Sequence, residues 1–294
     1  AADTRSQDAN GRIVDGVNPL DPTYNGVNVY GDELGLAFDL TDTFANSVLP
    51  AYEVAPGVTL AQADPATLAQ LQGIFGLYPN FFGEGLQQIN FTGYDEGALT
   101  DGSTSNYKYN IEAAYRPSDN LEITLGSRQG GGKIILQGLS RYTIDNFKMT
   151  QNKVEVNWGK LNVKAYTTEE DAGDSYDTNA AGLLMFAAQP GGPGGWYNNY
   201  FGGFFLGALS EVNPTDPLGA LNTMAQHMGG VAQGLVPLAA VDTNGDGQLS
   251  IMDYVSSLAP HHRLGRTAAN QNMLQPGTSE FDATLDAITS NTAK

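Results

Sequence analysis

Alternation of apolar and polar residues is the feature that most constrains this chain, and it recurs in four runs between about 107 and 168. The first run, YKYNIEAAYR, places Tyr109, Ile111 and Tyr115 on one face and polar residues on the other. LEITLGSR follows after the turn-forming sequence PSDN, and KVEVNW is joined to LNVKAY through a Gly-Lys dipeptide. A period of two residues with short turns predicts two antiparallel hairpins, and therefore four strands.

The alternation leaves open what covers the apolar face, because a half-buried soluble sheet and a lipid-facing sheet have the same period. Trp158, Tyr115 and Tyr109 lie near the turns, as aromatic residues do at a membrane interface. The pattern ends in GSRQGGGKI and TIDNFKMTQ, so we expect the strands to leave an apolar layer there. Tyrosine and tryptophan also fill ordinary protein cores, which keeps a soluble sheet as an alternative.

Composition excludes several classes of protein. The chain has 294 residues, of which 41% are hydrophobic, and no cysteine, which removes disulfides and zinc–thiolate sites. No apolar run reaches the roughly 18 residues of a membrane-spanning helix. The net charge is −18, although the segment 107–168 carries nine basic residues against five acidic ones. The acidic remainder disfavours nucleic acid as a partner and attracts metal cations.

The sequences on either side of the strands are interpreted as loop-rich. Segment 1–104 is expected to be irregular with one short helix, since residues 1–60 are rich in Asn, Asp, Gly and Pro. The helix signal is Asp64 and Pro65 followed by apolar residues at helical spacing. Segment 105–187 holds the strands. Segment 188–294 contains seven glycines and six aromatic residues at 190–209. This stretch is expected either to dock a partner or line a binding cavity, or to form a Gly-hinged loop that covers its own aromatics. A last helix is expected from Thr278 or Ser279.

Twelve residues, DTNGDGQLSIMD at 242–253, have the spacing of an EF-hand calcium loop, with oxygen-bearing side chains at positions 1, 3, 5, 9 and 12 and glycine at position 6. The expected Ca²⁺ ligands are Asp242, Asn244, Asp246, the Gln248 carbonyl, Ser250 and Asp253. The stretch resembles one half of a dockerin repeat. Aspartate at position 12 predicts weak binding, with a dissociation constant of roughly 10⁻⁴ to 10⁻³ M. The alternative is a loop of Asx turns without metal.

Catalytic patterns are weak, and the sequence predicts no enzyme. His227, His261 and His262 belong to no HExxH or GxSxG pattern, and the adjacent pair is interpreted as exposed. Acidic residues at 169–171 and 174 suit a glycosidase in principle, but a chain with 32 acidic residues contains such pairs by chance. The GGGK sequence at 130–133 lacks the spacing of a phosphate-binding loop.

The stretch from LEITLGSR to SYDT, at 121–178, resembles the barrel of TonB-dependent outer-membrane receptors of the large Bacteroidota type. The resemblance rests on LQG and RY at 136–142, on the returning strand at 147–158 and on AYTTEEDAGDSYD at 165–177. Three further blocks, at 21–33, 91–96 and 261–281, are similar to blocks of that family in the same order. Leu136 and Leu139 replace a usual aromatic and a usual polar residue, and the calcium loop falls in a long extracellular connection.

The resemblance implies an all-β fold, with the antiparallel strands of an incomplete transmembrane β-barrel and long extracellular loops that carry short helices. It implies a part of a receptor that binds a nutrient and imports it across the outer membrane. The implied partners are the nutrient ligand, outer-membrane lipid, a surface lipoprotein, and TonB through a plug that this chain lacks.

With no signal peptide, no TonB box and four of about 22 strands, the chain is expected to be an internal fragment or an incomplete gene product. A different class of protein stays as the alternative, namely a secreted, soluble, β-rich calcium-binding module for adhesion or for carbohydrate.

Overall fold

A computed structural model describes residues 22–24, 26, 28–32, 34–138 and 140–291. Three expectations from the sequence fall on residues outside this description. They are the irregular backbone at 1–21, part of the family block at 21–33, and the departure at Leu139. The chain divides into two compact units. Unit 1 comprises Ala1–Gly93 and Phe186–Leu274, and unit 2 comprises Tyr94–Met185 and Gln275–Lys294.

The described helices and strands follow one another along the chain with short connections. In chain order they are β1 (Val29–Tyr30), β2 (Gly35–Asp39), α1 (Leu40–Thr43), a π-helical turn (Phe44–Val48), α2 (Leu49–Ala51), β3 (Glu53–Ala55), β4 (Val58–Thr59), α3 (Leu60–Ala63), α4 (Pro65–Gly76), β5 (Leu86–Asn90), β6 (Tyr94–Asp95), α5 (Glu96–Leu99), β7 (Ser105–Ser118), β8 (Leu121–Gln137), β9 (Arg141–Trp158), β10 (Leu161–Asp171), β11 (Tyr176–Asp177), α6 (Thr178–Ala187), α7 (Gly192–Val212), α8 (Pro217–Ala232), two 3₁₀ turns (Leu238–Ala240 and Ile251–Asp253), α9 (Ala259–Gln271) and α10 (Ser279–Asn291).

Unit 2 is built around an antiparallel sheet in the order β10-β9-β8-β7, which confirms the four strands that the alternation predicts. The short strand β11 also pairs with β9. Both predicted turns form. Ser118 pairs with Leu121 across the first turn, and Trp158 pairs with Leu161 across the second. Gly159 takes a φ of 59° in the second turn, which is the left-handed backbone that such turns require.

Strands β8 and β9 continue through the sequences where we expected them to end. Leu125 pairs with Val154 inside the alternating part, and Gly130 still pairs with Met149 beyond it. Glycine permits a close approach of backbones here, since a Cβ atom on Gly132, which has a φ of +152°, would lie 2.0 Å from a neighbouring carbonyl oxygen. Backbone hydrogen bonding therefore continues where side-chain periodicity has stopped.

The two helices that the sequence signals predict are confirmed. In unit 1, Thr67 donates its backbone N–H to Asp64 Oδ1 at 3.0 Å, which caps α4 at its predicted start. In unit 2, Phe281 donates its backbone N–H to Thr278 Oγ1 at 3.2 Å at the start of α10. Phe281 is buried, and its ring centroid lies 5.2 Å from that of Tyr94.

The stretch at 190–209 is not the loop that we expected, because most of it belongs to α7, a helix of 21 residues. Its aromatic residues recur at helical spacing and are buried in the core of unit 1. Its glycines serve packing as well as turning, since a Cβ atom on Gly203 would lie 2.9 Å from the Leu264 carbonyl oxygen of α9. Gly265 of α9 faces the Tyr200 carbonyl oxygen of α7 at a similar separation, 2.7 Å from its ideal Cβ position.

The expected all-β fold, an incomplete transmembrane barrel with short helices in long loops, is wrong. The fold is mixed, with 42% helix and 31% strand, and its antiparallel sheets are small and unclosed in the described residues. The physical reason is that the flanking sequences, rich in Gly and aromatic residues, form packed helices. Among the described residues, no helix has both the length and the apolar character that crossing a bilayer requires.

Candidate functional site

The sheet β7-β10 has one apolar face over its turn-proximal end, and we call this surface the apolar face. The strand register places residues of all four strands side by side, in rows across the sheet. The rows that form the apolar face are Leu121, Trp158 and Leu161 nearest the turns, then Tyr115, Ile123, Val156 and Val163, then Ala113, Leu125, Val154 and Ala165.

Several large side chains of the apolar face are open to solvent. Tyr115 is 68% exposed, Trp158 64%, Leu161 56% and Val163 51%. A soluble protein leaves single apolar side chains exposed, but a contiguous patch across four strands marks a surface that contacts a partner or a membrane.

The opposite face of the same four strands is polar and carries ion pairs. Lys153 Nζ lies 2.8 Å from Glu112 Oε2 and 3.5 Å from Glu155 Oε2, so it connects carboxylates on two strands. Lys164 Nζ lies 3.4 Å from the same Glu155 oxygen. The sheet is therefore amphipathic at its turn-proximal end, with one apolar face and one polar face.

The predicted calcium loop at 242–253 lies in unit 1 and is a closed turn whose acidic side chains accept backbone N–H groups. Asp242 Oδ2 accepts from Gly247 at 2.9 Å, and Asp246 Oδ1 accepts from Gln248 at 2.8 Å. Gly247, at position 6, has a φ of +81°, as the sharp turn of such loops requires. Asp253 closes the loop by accepting from Thr243 at 2.9 Å.

The residues present fit a calcium loop in spacing and in charge, although their side chains accept hydrogen bonds from backbone N–H groups of the same loop. In the described residues no group of three or more acidic or histidine side chains is arranged to hold a metal ion. The loop carboxylates of Asp242, Asp246 and Asp253 form no ion pair with a basic side chain of the described chain, and Asp253 is only 8% exposed. Their negative charge is thus balanced by N–H groups alone, which a bound cation would complement.

The histidine pair is packed into the protein, contrary to our expectation of exposure. His261 is buried, with Nε2 2.8 Å from Glu211 Oε2. The Nδ1 atom of His262 lies 2.7 Å from the Tyr200 hydroxyl. Burial lowers the pKa of His262 to about 4, and repulsion from His261 and from Arg266 contributes to the same shift. His261 is therefore part of the core of unit 1, and His262 is a half-buried residue packed beside it.

Two of the acidic residues considered for a glycosidase, Glu169 and Glu170, lie on opposite faces of β10. Glu169 pairs with Thr150, and Glu170 pairs with Met149, at neighbouring positions of β10. Successive side chains of a strand point to opposite faces, so these two carboxylates diverge. His227 lies elsewhere, in unit 1, with its Nδ1 atom 3.0 Å from the Tyr254 hydroxyl.

Unit 1 contains an apolar cavity of about 450 Å³, and residues of the stretch at 190–209, for which a cavity lining was one alternative, form part of its wall. It is lined by the π-helical turn, α2, α7 and α8. Phe44, Leu209 and Leu221 are among its buried lining residues. The available signal was the spacing of Phe201, Phe205 and Leu209, which recur every four residues, but it becomes readable only once 190–209 is known to be helical.

Comparisons with models of protein families, with curated proteins and with solved structures find no match to this chain.

Proposed function

We propose that this chain is part of an outer-membrane receptor of the TonB-dependent kind, which binds a nutrient and imports it. The observation that carries the proposal is the amphipathic sheet β7-β10, whose apolar face is exposed to solvent and whose opposite face carries ion pairs. On this proposal the apolar face contacts outer-membrane lipid.

Lipid accounts for the sheet better than water does. Leaving a large apolar side chain in water forfeits about 1.5–3 kcal/mol relative to burying it, and several are exposed together on this face. Trp158 and Tyr115 lie at the turn-proximal end, where amphipathic aromatic residues suit the boundary between lipid and water. The paired charges of the other face suit an aqueous or protein-filled side.

The remaining parts of the proposal come from the family resemblance. A nutrient ligand, a surface lipoprotein as partner and TonB acting through a plug complete the receptor. The calcium loop would lie outside the cell, where calcium is present at millimolar concentration and a weak site is filled. Bound calcium would supply a positive charge beside Asp242, Asp246 and Asp253 and would stiffen that loop.

The absence of cysteine gives a direct test, because a single introduced thiol can be labelled selectively. Val163 and Lys164 are neighbours in β10, are similarly exposed, and point to opposite faces. We expect a nitroxide on Val163→Cys, in vesicles of outer-membrane lipid, to collide more with oxygen than with a water-soluble nickel chelate. The label on Lys164→Cys is the matched control and should show the reverse preference.

Equal, water-like accessibility of both labels, with the chain remaining in the aqueous phase, would reject the membrane proposal. That outcome would favour the secreted calcium-binding module, which then needs a protein or carbohydrate partner to cover the apolar face. Protection of Val163→Cys from both collision reagents would indicate a protein partner instead of lipid.

A further inference from the structure

We infer that the apolar cavity of unit 1 is a binding site for a neutral small molecule, largely apolar, that carries one or two hydroxyl or carbonyl groups. This inference is independent of the proposed receptor function, since the cavity is formed within unit 1 alone.

The volume and the lining of the cavity suit a small molecule. Its volume of about 450 Å³ falls in the usual range of ligand sites, which are mostly apolar with a few polar groups. The buried part of the lining includes the Phe44 ring and the side chains of Leu209 and Leu221. Leu206 is half exposed and also lines the cavity, so the site has an opening to solvent.

The polar groups of the lining are neutral and available. They belong to the lining residues Ser47, Tyr52 and Asn198. Within the part of the chain that the structure describes, none of these three side chains makes a hydrogen bond to protein. Among the described residues, no charged side chain lines the cavity, and the chain has a net charge of −18. A ligand with a charged group, whether acidic or basic, would lack a counter-charge in this lining, so the cavity selects a neutral molecule.

Two backbone features keep the cavity open. Gly202 of α7 lines it, and a Cβ atom at this position would meet no atom within 4 Å. Its neighbour Gly203 is required for packing against α9, whereas Gly202 has no such contact. The π-helical turn Phe44–Val48 supplies Phe44, Ser47 and Val48 to the lining, and π-helical turns are rare and often located at functional sites.

The test uses two fluorescent probes with the same aromatic skeleton, neutral N-phenyl-1-naphthylamine and its anionic relative 1-anilinonaphthalene-8-sulfonate. The full chain should bind the neutral probe saturably and the sulfonated probe at least tenfold more weakly. Gly202→Leu places a side chain in the cavity and should abolish the saturable binding without lowering the melting temperature. Gly73→Leu is the matched control, because Gly73 is also an exposed helical glycine with open space around it, in α4 and outside the cavity.

The inference would be overturned if the Gly202→Leu and Gly73→Leu variants bound the neutral probe equally. Neither change touches the apolar face of the sheet, so equal binding would mean that the probe binds there and not in the cavity. Equal affinity for the two probes in the unaltered chain would overturn the selection for neutral ligands. Sedimentation provides a further check. A dimer that becomes a monomer only in Gly202→Leu would show that a second copy of the chain fills the cavity, and would also overturn the inference.

Discussion

Arg266 is the fully buried cation of α9, and its contacts join separate segments of unit 1. Its Nη1 atom donates to Thr92 Oγ1 at 3.0 Å, and Nη2 donates to the carbonyl oxygens of Pro22 at 3.0 Å and Asn90 at 2.9 Å. The guanidinium also lies 5.7 Å from the ring centroid of Trp196. A planar group with five donors suits this set of acceptors, which a lysine ammonium cannot span.

We therefore expect Arg266→Lys to lower the free energy of unfolding of unit 1 by about 3 kcal/mol, measured by denaturant titration in a Trp158→Phe background, where Trp196 is the one fluorescent tryptophan. Arg263→Lys is the matched control, because Arg263 is exposed on the same helix and its replacement should change stability by less than about 0.5 kcal/mol. Equal effects of the two substitutions would contradict a structural role for Arg266.

His262 makes the stability of unit 1 depend on pH. The pKa of the folded His262 is lowered to about 4, from an ordinary value of 6.5, so the unfolded chain takes up the proton first. Its contribution to stability is complete above pH 6.5 and is lost progressively as the pH falls from 6.5 towards 4. The whole shift corresponds to about 3 kcal/mol.

The prediction is that His262→Phe removes most of the decline in melting temperature between pH 6.5 and 4.5. The variant loses the hydrogen bond to Tyr200, so its melting temperature at pH 7.5 falls as well, and only the slope with pH tests the titration. An unchanged slope would show that other groups cause the decline.

The surroundings of Arg266 and His262 could not be predicted from the local sequence. Histidine and arginine in a polar stretch of helix are mostly exposed in proteins, so HHRLGR gave no local sign of burial. Their surroundings come from Asn90, Thr92 and Tyr200, which are distant in sequence. Only the assembled unit brings these groups together.

At the scale of elements, the local signals that predicted correctly were those that need no distant partner. The period of two residues with two short turns gave β7 to β10, and Asp64-Pro65 gave the start of α4. Helix α7 was missed because seven glycines in the stretch at 190–209 argue for a loop when propensity is considered alone. Close packing of α7 on α9 offsets that preference, and neither helix reveals the other in sequence.

The loop at 242–253 was found from spacing alone, and its proposed calcium binding predicts a change in stability. At a Ca²⁺ concentration ten times the dissociation constant, a ligand that binds only the folded chain adds about 1.4 kcal/mol. With the expected weak affinity, roughly 1–10 mM calcium should raise the melting temperature measurably.

Asp246→Asn should abolish most of that rise, because it removes one carboxylate charge while its amide oxygen can still accept the Gln248 N–H. Asp216→Asn is the control, since Asp216 caps α8 outside the loop by accepting from Gly219. A rise of equal size in both variants, or no rise in the unaltered chain, would contradict a calcium site in this loop.

For the whole molecule, the division into units predicts that unit 1 folds without unit 2. Its two segments meet where unit 2 is inserted, because the rings of Phe91 and Phe186 lie 4.0 Å apart between centroids. A short Gly-Ser linker in place of residues 94–185 can therefore join the segments without stretching the chain.

The joined chain, ending at Leu274, contains Trp196 as its single tryptophan, since Trp158 belongs to the deleted sheet. Trp196 is buried, so we expect blue-shifted fluorescence that moves to the red in one cooperative unfolding transition. The same chain with Arg266→Lys should unfold at lower denaturant concentration, as in the full chain. Red-shifted emission without a transition would mean that unit 1 needs unit 2 to fold, because the core around α7 and α9 would then be insufficient by itself.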